Sequence, residues 1–500
     1  MATDTPLTGS TQPIPLAIGY TLLAPGLQGE VRKIEPAATA TRGAAGIRPD
    51  DQPFASALQR AGARLSAEFE FTITGDDHGS GTGTATRGGQ VRQMTDQGEP
   101  AMEFAAPQPG ANARSIVLYT DESGESRWIW PRRTDGEKAY FYLPRESDSP
   151  PAAATNTRGA IIAGMRRIVK VITWATDEIV GDLALDFAQK WEEKNRAYGF
   201  HYVQPNQFGG EVPWGRLAEG RTLLLLHGTF SNGQGAFDGL IRSDWMRKMA
   251  DYYGGRIIAF NHPSLHHSPE DNIREFRRML PPEVKNLEFD LVTHSRGGLV
   301  GRELCERFAP EGQDKRVRVN RAVFVAGPHS GTILTDRENW STMIDSYTNL
   351  LVGLPDNALT ITLEGLFTLI KVVGGGVVHG LPGLQSMLPG GEYVKTLNTA
   401  PQSGGSYYAL AAQYMPADEH TAGGLGKKVL IKALRKIFGE DSDLVVPTKG
   451  CYSMQPEVAG FAIPEKRYKV YGVEEDTHHL NFFEKEAVNK QLHDWLTAPG

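Results

Sequence analysis

Phe289-Asp290-Leu291-Val292-Thr293-His294-Ser295-Arg296-Gly297-Gly298-Leu299-Val300-Gly301-Arg302 is the stretch on which the fold turns. Its first four residues read as the end of an apolar strand, and Gly298–Phe308 carries helical spacing, with only a tight turn between them. A serine on such a strand-to-helix turn is held with its hydroxyl above the end of a sheet, beside a helix N-terminus. Small residues are required there because strand and helix pass close together. Gly297, Gly298 and Gly301 meet that need. The usual spacing is G-x-S-x-G, and here Thr293 stands in place of the first glycine.

Outward from this turn, the same pattern repeats. RTLLLLHG, RIIAFNHP, EFDLVTHS and RAVFVAGPH are apolar runs that end in turns, and SYYALAAQYM and KRYKVYGV supply two later ones. Helical patterns such as DWMRKMADYY and GLVGRELCERF lie between them. Unbroken apolar strands alternating with helices predict a mostly parallel sheet covered on both faces, over residues 215–500. Loops at the carboxyl ends of its strands are the expected site.

Two further groups fit acyl transfer. The first strand runs into His227-Gly228-Thr229-Phe230, where a backbone N–H could face the oxygen that becomes negative in a tetrahedral intermediate. Thr229 is the expected donor there, and Arg296, directly after the serine, the other. A nucleophilic serine also needs a base and an orienting carboxylate, in the chain order Ser, Asp, His. Asp441-Ser442-Asp443 follows the strand SYYALAAQYM, and Asp443 is preferred because it directly precedes the apolar Leu444-Val445-Val446. Thr477-His478-His479 follows the last strand, and spacing does not separate the two histidines.

With LLLLHGTF, RIIAFNHPSLHHSPEDN, FDLVTHSRGGLVGREL, VFVAGPHSGT, DSDLVVP and HHLNFF in that order, residues 220–500 resemble the lipase/esterase branch of the α/β-hydrolase superfamily. The resemblance implies an α/β-hydrolase fold acting on carboxylic esters, with Ser295 as nucleophile, Asp443 as acid and His479 as base. His479 is favoured because H-x-N-[YF]-F matches from the second histidine; His478 is the alternative base. Thr229 and Arg296 would supply the oxyanion hole. A thioesterase or amidase would use the same three residues, and a binding or scaffold protein with a decayed hydrolase domain is the reading from another class. Residues 330–403 form an insertion with apolar helix-like stretches, expected to cap an acyl pocket and to favour medium or long chains through Leu350, Leu351, Leu366, Phe367, Leu369 and Ile370.

The remainder is read from texture. Residues 1–58 are expected to be an extended or loosely ordered lead-in. Residues 59–145 read as a β-rich unit and 146–214 as a linker followed by one amphipathic helix. That helix is drawn through Ile161, Met165, Ile168, Ile172, Ile179, Leu183, Phe187 and Trp191, packed on a neighbour or lying on a lipid surface. The 500 residues carry 52 Lys and Arg against 59 Asp and Glu, a net charge of −7, which lacks the basic footprint of nucleic-acid binders. Two cysteines, Cys305 and Cys451, are too few for a disulfide scaffold and are expected as free thiols. His262, His266 and His267 cluster without a metal-binding motif, so neither a metal nor another cofactor is expected. No basic-then-apolar leader and no clean spanning stretch is present, which gives a cytoplasmic, soluble expectation.

Overall fold

The computed structural model describes residues 4–34, 52–76, 101–110, 112–122, 124–145, 165–175, 182–308, 316–335, 339–351, 356–374, 381–399, 406–414, 438–453 and 461–499. They fall into two compact units, one within Met1–Glu178 and one within Ile179–Gly500.

The first unit holds β1 (Thr5–Thr8), β2 (Ile14–Ala17), β3 (Tyr20–Leu23), β4 (Leu27–Ile34), helix α1 (Gln52–Arg60), β5 (Ala63–Asp76), β6 (Ala101–Pro107), β7 (Ala113–Thr120), β8 (Ser126–Ile129), β9 (Arg133–Thr134), β10 (Lys138–Pro144) and β11 (Met165–Ala175). They form two antiparallel sheets, in the orders β1-β4-β5-β11-β7-β8 and β2-β3-β6-β10-β9. Leu22, Phe69, Phe104, Val117, Phe141 and Val169 bring residues of both sheets into one core, with Phe69 edge-on to Phe104 at 5.6 Å.

Two expectations fail in this unit. Residues 5–34, expected as a loose lead-in, form four strands whose Leu7, Leu22, Leu27 and Val31 are buried. Three of those strands have only four residues, too few to display a period between their glycine turns. The single helix expected over 161–191 is instead β11 followed by α2 (Asp182–Asn195). β11 is paired on both edges, with β5 and β7. Ile168 and Ile172 are four apart, an even spacing that also fits a strand, and β-branched Ile168, Val169, Val171, Ile172 and Thr173 favour one. The linker expected over 146–159 lies outside the described residues.

The second unit is an eight-stranded sheet in the order β13-β12-β15-β14-β16-β17-β18-β19. Its strands are β12 (Gly199–Gln204), β13 (Gln207–Phe208), β14 (Thr222–Leu226), β15 (Ile257–Asn261), β16 (Leu287–His294), β17 (Val317–Val325), β18 (Ser406–Ala412) and β19 (Tyr468–Tyr471). From β15 to β19 all pairs are parallel, while the hairpin β12–β13 adds an antiparallel edge on β15. That hairpin and α2 move the start of this unit well before the expected residue 215.

Helices cover both faces: α3 (Trp214–Leu217), α4 (Gly233–Arg242), α5 (Asp244–Tyr252), α6 (Pro269–Met279), α7 (Gly297–Arg302), α8 (Trp340–Leu350), α9 (Asp356–Gly374), α10 (Pro382–Gln385), α11 (Glu392–Thr399) and α12 (Glu486–Thr497). β14 shows why. Leu224 and Leu226 point into a core shared with α6 and α7, and Leu223 and Leu225 into another shared with α4, α5 and α12. Each fully buried leucine is worth about 2 kcal/mol, as an upper estimate. A strand buried on both faces is apolar at every position, which is the run seen in the sequence. Among the described residues no helix is long and apolar enough to cross a membrane.

α7 crosses directly over the end of β14. A β-carbon on Gly297 would stand 2.3 Å from the Leu226 carbonyl oxygen, and one on Gly301 3.0 Å from Thr293 Cγ2. Thr293, where the motif normally has glycine, thus fills the space that Gly301 leaves. Gly297→Ala should destabilise the protein by on the order of 3 kcal/mol or abolish folding. Gly215→Ala, whose new methyl would meet nothing within 4 Å, should change the denaturation midpoint little. Equal midpoints for the two variants would refute the close crossing.

Candidate active site

The carboxyl ends of β14, β16 and β19, with the loop beyond β18, converge on one point. Ser295 sits just past β16 with φ 53°, in the left-handed region that costs an ordinary residue about 1–2 kcal/mol. Its N–H donates to the Val325 carbonyl at 2.9 Å, and its own carbonyl accepts from the Gly298 N–H at 2.8 Å, so the turn is clamped from both sides. The side chain is buried and its Oγ lies 2.9 Å from His479 Nε2.

His479 Nδ1 lies 2.8 Å from Asp443 Oδ2, with both side chains buried. The other carboxylate oxygen of Asp443 accepts from the N–H groups of Val445 (3.0 Å) and Val446 (2.7 Å). Leu444, between them, is held at φ 78°. The Asp443 carbonyl also accepts from the His479 N–H at 3.1 Å, so acid and imidazole are joined twice. A carboxylate can only accept from Nδ1, which leaves Nε2 of the neutral ring free to accept from the serine hydroxyl. This is the geometry in which an imidazole can take a proton from a hydroxyl.

His478 points elsewhere. Its Nδ1 accepts from the Leu480 N–H at 3.3 Å, and its ring meets Tyr414 edge-on at 5.2 Å. Asp441 is engaged through its backbone, accepting from the Thr448 N–H at 2.9 Å.

Thr229 lines the cavity beside Ser295. The N–H of the next residue, Phe230, is directed to Ser264 Oγ at 3.3 Å. Gly228 lets this loop approach, since a β-carbon there would stand 2.6 Å from the β-carbon of Ser295. Arg296 follows the serine and is fully buried. Its guanidinium donates to the Gly383 carbonyl (3.0 Å), to Asn272 Oδ1 (3.0 Å) and to the His267 carbonyl. Burial lowers its pKa to about 10. Asn272 is delivered by α6, whose start is set by a capping box between Ser268 and Asp271 with Pro269 in the first turn.

Sequence reasoning missed two residues here. Glu192 on α2 is fully buried, and its carboxylate accepts from the N–H groups of Ser264 (2.6 Å), Leu265 (2.9 Å) and His266 (2.9 Å), and from His266 Nδ1 (2.6 Å). Burial pushes its pKa up, and these hydrogen bonds outweigh that to leave it lowered. Tyr347 of α8 lines the same cavity as Ser295 and His479. Burial raises its phenol pKa, Asp443 adds to the rise and the Ser295 hydroxyl opposes it, so it is a neutral hydrogen-bond donor. No local motif marks either residue, because their partners are remote in sequence.

The three clustered histidines have separate partners. His262 stacks on His227 at 4.1 Å, His266 bonds Glu192, and His267 Nδ1 lies 2.6 Å from Tyr198 Oη. Among the described residues no group of three or more His, Cys, Asp or Glu is arranged to hold a metal ion. Cys305 and Cys451 are buried free thiols.

Residues 194–497 match the model of a family described as a domain of unknown function, DUF7379. No curated protein matches the chain in sequence. Among solved structures it is similar to phospholipase PlaB from Legionella pneumophila, with 13% identity and a TM-score of 0.37, covering 56% of this chain and 61% of that one. This chain therefore spans less than two thirds of that phospholipase. It is also similar to lipase 1 from Pelosinus fermentans (14% identity, TM-score 0.36, 56% of this chain and 99% of that one). EstA from Clostridium botulinum is a third (13%, 0.35, 59% and 91%).

Four histidines near the site are buried and neutral. Burial lowers the pKa of His227 and His294 to about 3, and those of His262 and His329 well below 6.5. A histidine whose folded pKa is depressed contributes stability that is complete above its unfolded pKa, near 6.5, and falls away as pH drops below that value. Each such group adds up to about 1.4 kcal/mol of loss per pH unit. Neither ring nitrogen of His329 has a hydrogen-bond partner among the described residues. His329→Leu should therefore match or exceed the wild type in stability at pH 7.5 and lose less of it between pH 6 and 4. Denaturant midpoints across pH measure this, and parallel curves for the two proteins would contradict it.

Proposed function

This chain belongs to the DUF7379 family of domains of unknown function, and we propose that it is a serine hydrolase of carboxylic esters with an α/β-hydrolase fold. The observation that carries the reading is the unbroken chain from Ser295 Oγ through His479 to Asp443, at 2.9 and 2.8 Å. Ser295 Oγ would attack the ester carbon while His479 Nε2 takes its proton. The carbonyl oxygen becomes an oxyanion, facing the N–H groups of Thr229 and Arg296. Their neighbours support this choice, because the Ser295 N–H is directed to Val325 and the Phe230 N–H to Ser264. Collapse of the intermediate breaks the bond to the alkoxide, which leaves with the proton from His479. Water then repeats the sequence, giving up a proton to His479, attacking the acyl-serine, and releasing the acid as Ser295 is reprotonated.

Asp443 would orient the ring and stabilise the imidazolium without being protonated itself. The insertion over 330–403 would act as the roof of the site, since Tyr347 of α8 and Thr362 of α9 line the cavity next to Ser295.

A small dialkyl fluorophosphate should label Ser295 in the wild type and not in Ser295→Ala, read by intact-protein mass. Ser295→Ala and His479→Ala should each lower kcat on a p-nitrophenyl ester by roughly four orders of magnitude, and His478→Ala by about tenfold at most. The reverse order for the two histidines would reassign the base. A folded wild type that takes no label and turns over no ester would point instead to a binding protein.

A further inference from the structure

The cavity beside the Ser295 hydroxyl offers about 30 Å³, room on the order of two water-sized groups. Its wall carries the hydroxyl-bearing Thr229, Ser231, Tyr347 and Thr362 beside the apolar Ala236, Leu480 and Phe483. Thr229 Oγ1 is buried with no hydrogen-bond partner among the described residues. The apolar side chains expected above an acyl chain are used elsewhere. Leu350, Leu351, Leu366, Phe367, Leu369 and Ile370 are all buried, and none lines this cavity.

The roof is fixed from several sides. The Tyr347 ring stands edge-on to Phe230 at 5.0 Å and 6.0 Å from the His479 ring. α9 is held at its start by Arg196, which donates to the Ile361 carbonyl at 2.9 Å and pairs with Glu364 at 3.6 Å, both side chains being buried. At Gly365 a β-carbon would stand 2.6 Å from the Phe230 carbonyl oxygen, so helix and loop meet without slack. Tyr347 of α8 and Thr362 of α9 thus roof the cavity beside Ser295, and a buried ion pair holds α9 in place.

Resting on the serine-hydrolase reading, we propose that Tyr347 and Thr362 limit the acyl group to about two or three carbons, so that the substrate is an ester of a short acid. A longer tail would have to displace the Tyr347 ring or keep the Thr229 hydroxyl buried without a partner, which disfavours it in the transition state as well as on binding.

The test is kcat/KM on p-nitrophenyl esters of two to ten carbons, run beside fluorophosphate labelling of Ser295. Acetate or propionate should exceed octanoate by about a hundredfold or more. Tyr347→Ala should move the optimum toward six or eight carbons, whereas Tyr347→Phe, which keeps the ring, should leave the optimum in place whatever it does to the rate. Thr362→Gly is the second enlarging variant, should Tyr347→Ala not fold. A labelled wild type that prefers eight or ten carbons overturns the acyl limit alone. So does an unchanged optimum in an enlarged variant that still takes the label. Absence of both label and turnover in the folded wild type overturns the hydrolase reading and this one with it.

Discussion

The Leu226 carbonyl oxygen and the Ser295 β-carbon leave no room for side chains at residues 297 and 228, where added β-carbons would stand 2.3 and 2.6 Å away. This crowding is the constraint on which the site depends. It brings the end of β14 against the turn after β16, so that the Thr229 loop and the Arg296 N–H share one corner with the serine. Ser295 accepts a left-handed backbone to sit there, and bonds from Val325 and Gly298 hold it against that strain. A larger residue at either glycine would push the Thr229 loop away from the turn that holds Ser295.

Fixed polar groups then tie the corner to its surroundings. Arg296 reaches from the turn to the carbonyls of Gly383 and His267 and to Asn272, tying the serine's helix to α10, α6 and the loop after β15. Glu192 does the same for the loop after β15 by accepting from three consecutive N–H groups. A buried charge is tolerated only when such partners surround it. The buried histidines follow the complementary rule and stay neutral. His294, for example, donates from Nε2 to the His479 carbonyl at 2.8 Å, holding the backbone of the imidazole that faces Ser295.

The insertion shows how composition can mislead about a pocket. Its leucines and Phe367 were legible as side chains that must be buried, and buried they are. What they are buried against was not legible. α9 packs against α2, α4 and α8, so its apolar faces are consumed by helix packing, while a tyrosine and a threonine reach the cavity. Apolar patterning reports that a face is covered without saying whether a neighbour or a ligand covers it.

The parallel sheet of the second unit was readable from sequence because a strand buried on both faces is apolar along its length, as Leu223–Leu226 and Ile257–Phe260 are. The strand-to-helix turn was readable because its glycines are demanded by backbone contact within a short stretch. Strands of four residues between Thr5 and Leu23 carried too little period to be seen, and the even spacing in β11 imitated a helix. By itself, then, the sequence determined the sheet, the turn that holds Ser295, and the residue types and order of Asp443, His478 and His479. Only the tertiary structure set His479 rather than His478 within hydrogen-bond distance of Ser295, and only it brought the Glu192 carboxylate, the Arg296 guanidinium and the Tyr347 phenol to the same region. The reason is physical: adjacent residues leave the backbone in different directions, and a hydrogen bond between groups 36 or 184 residues apart exists only once the chain has closed.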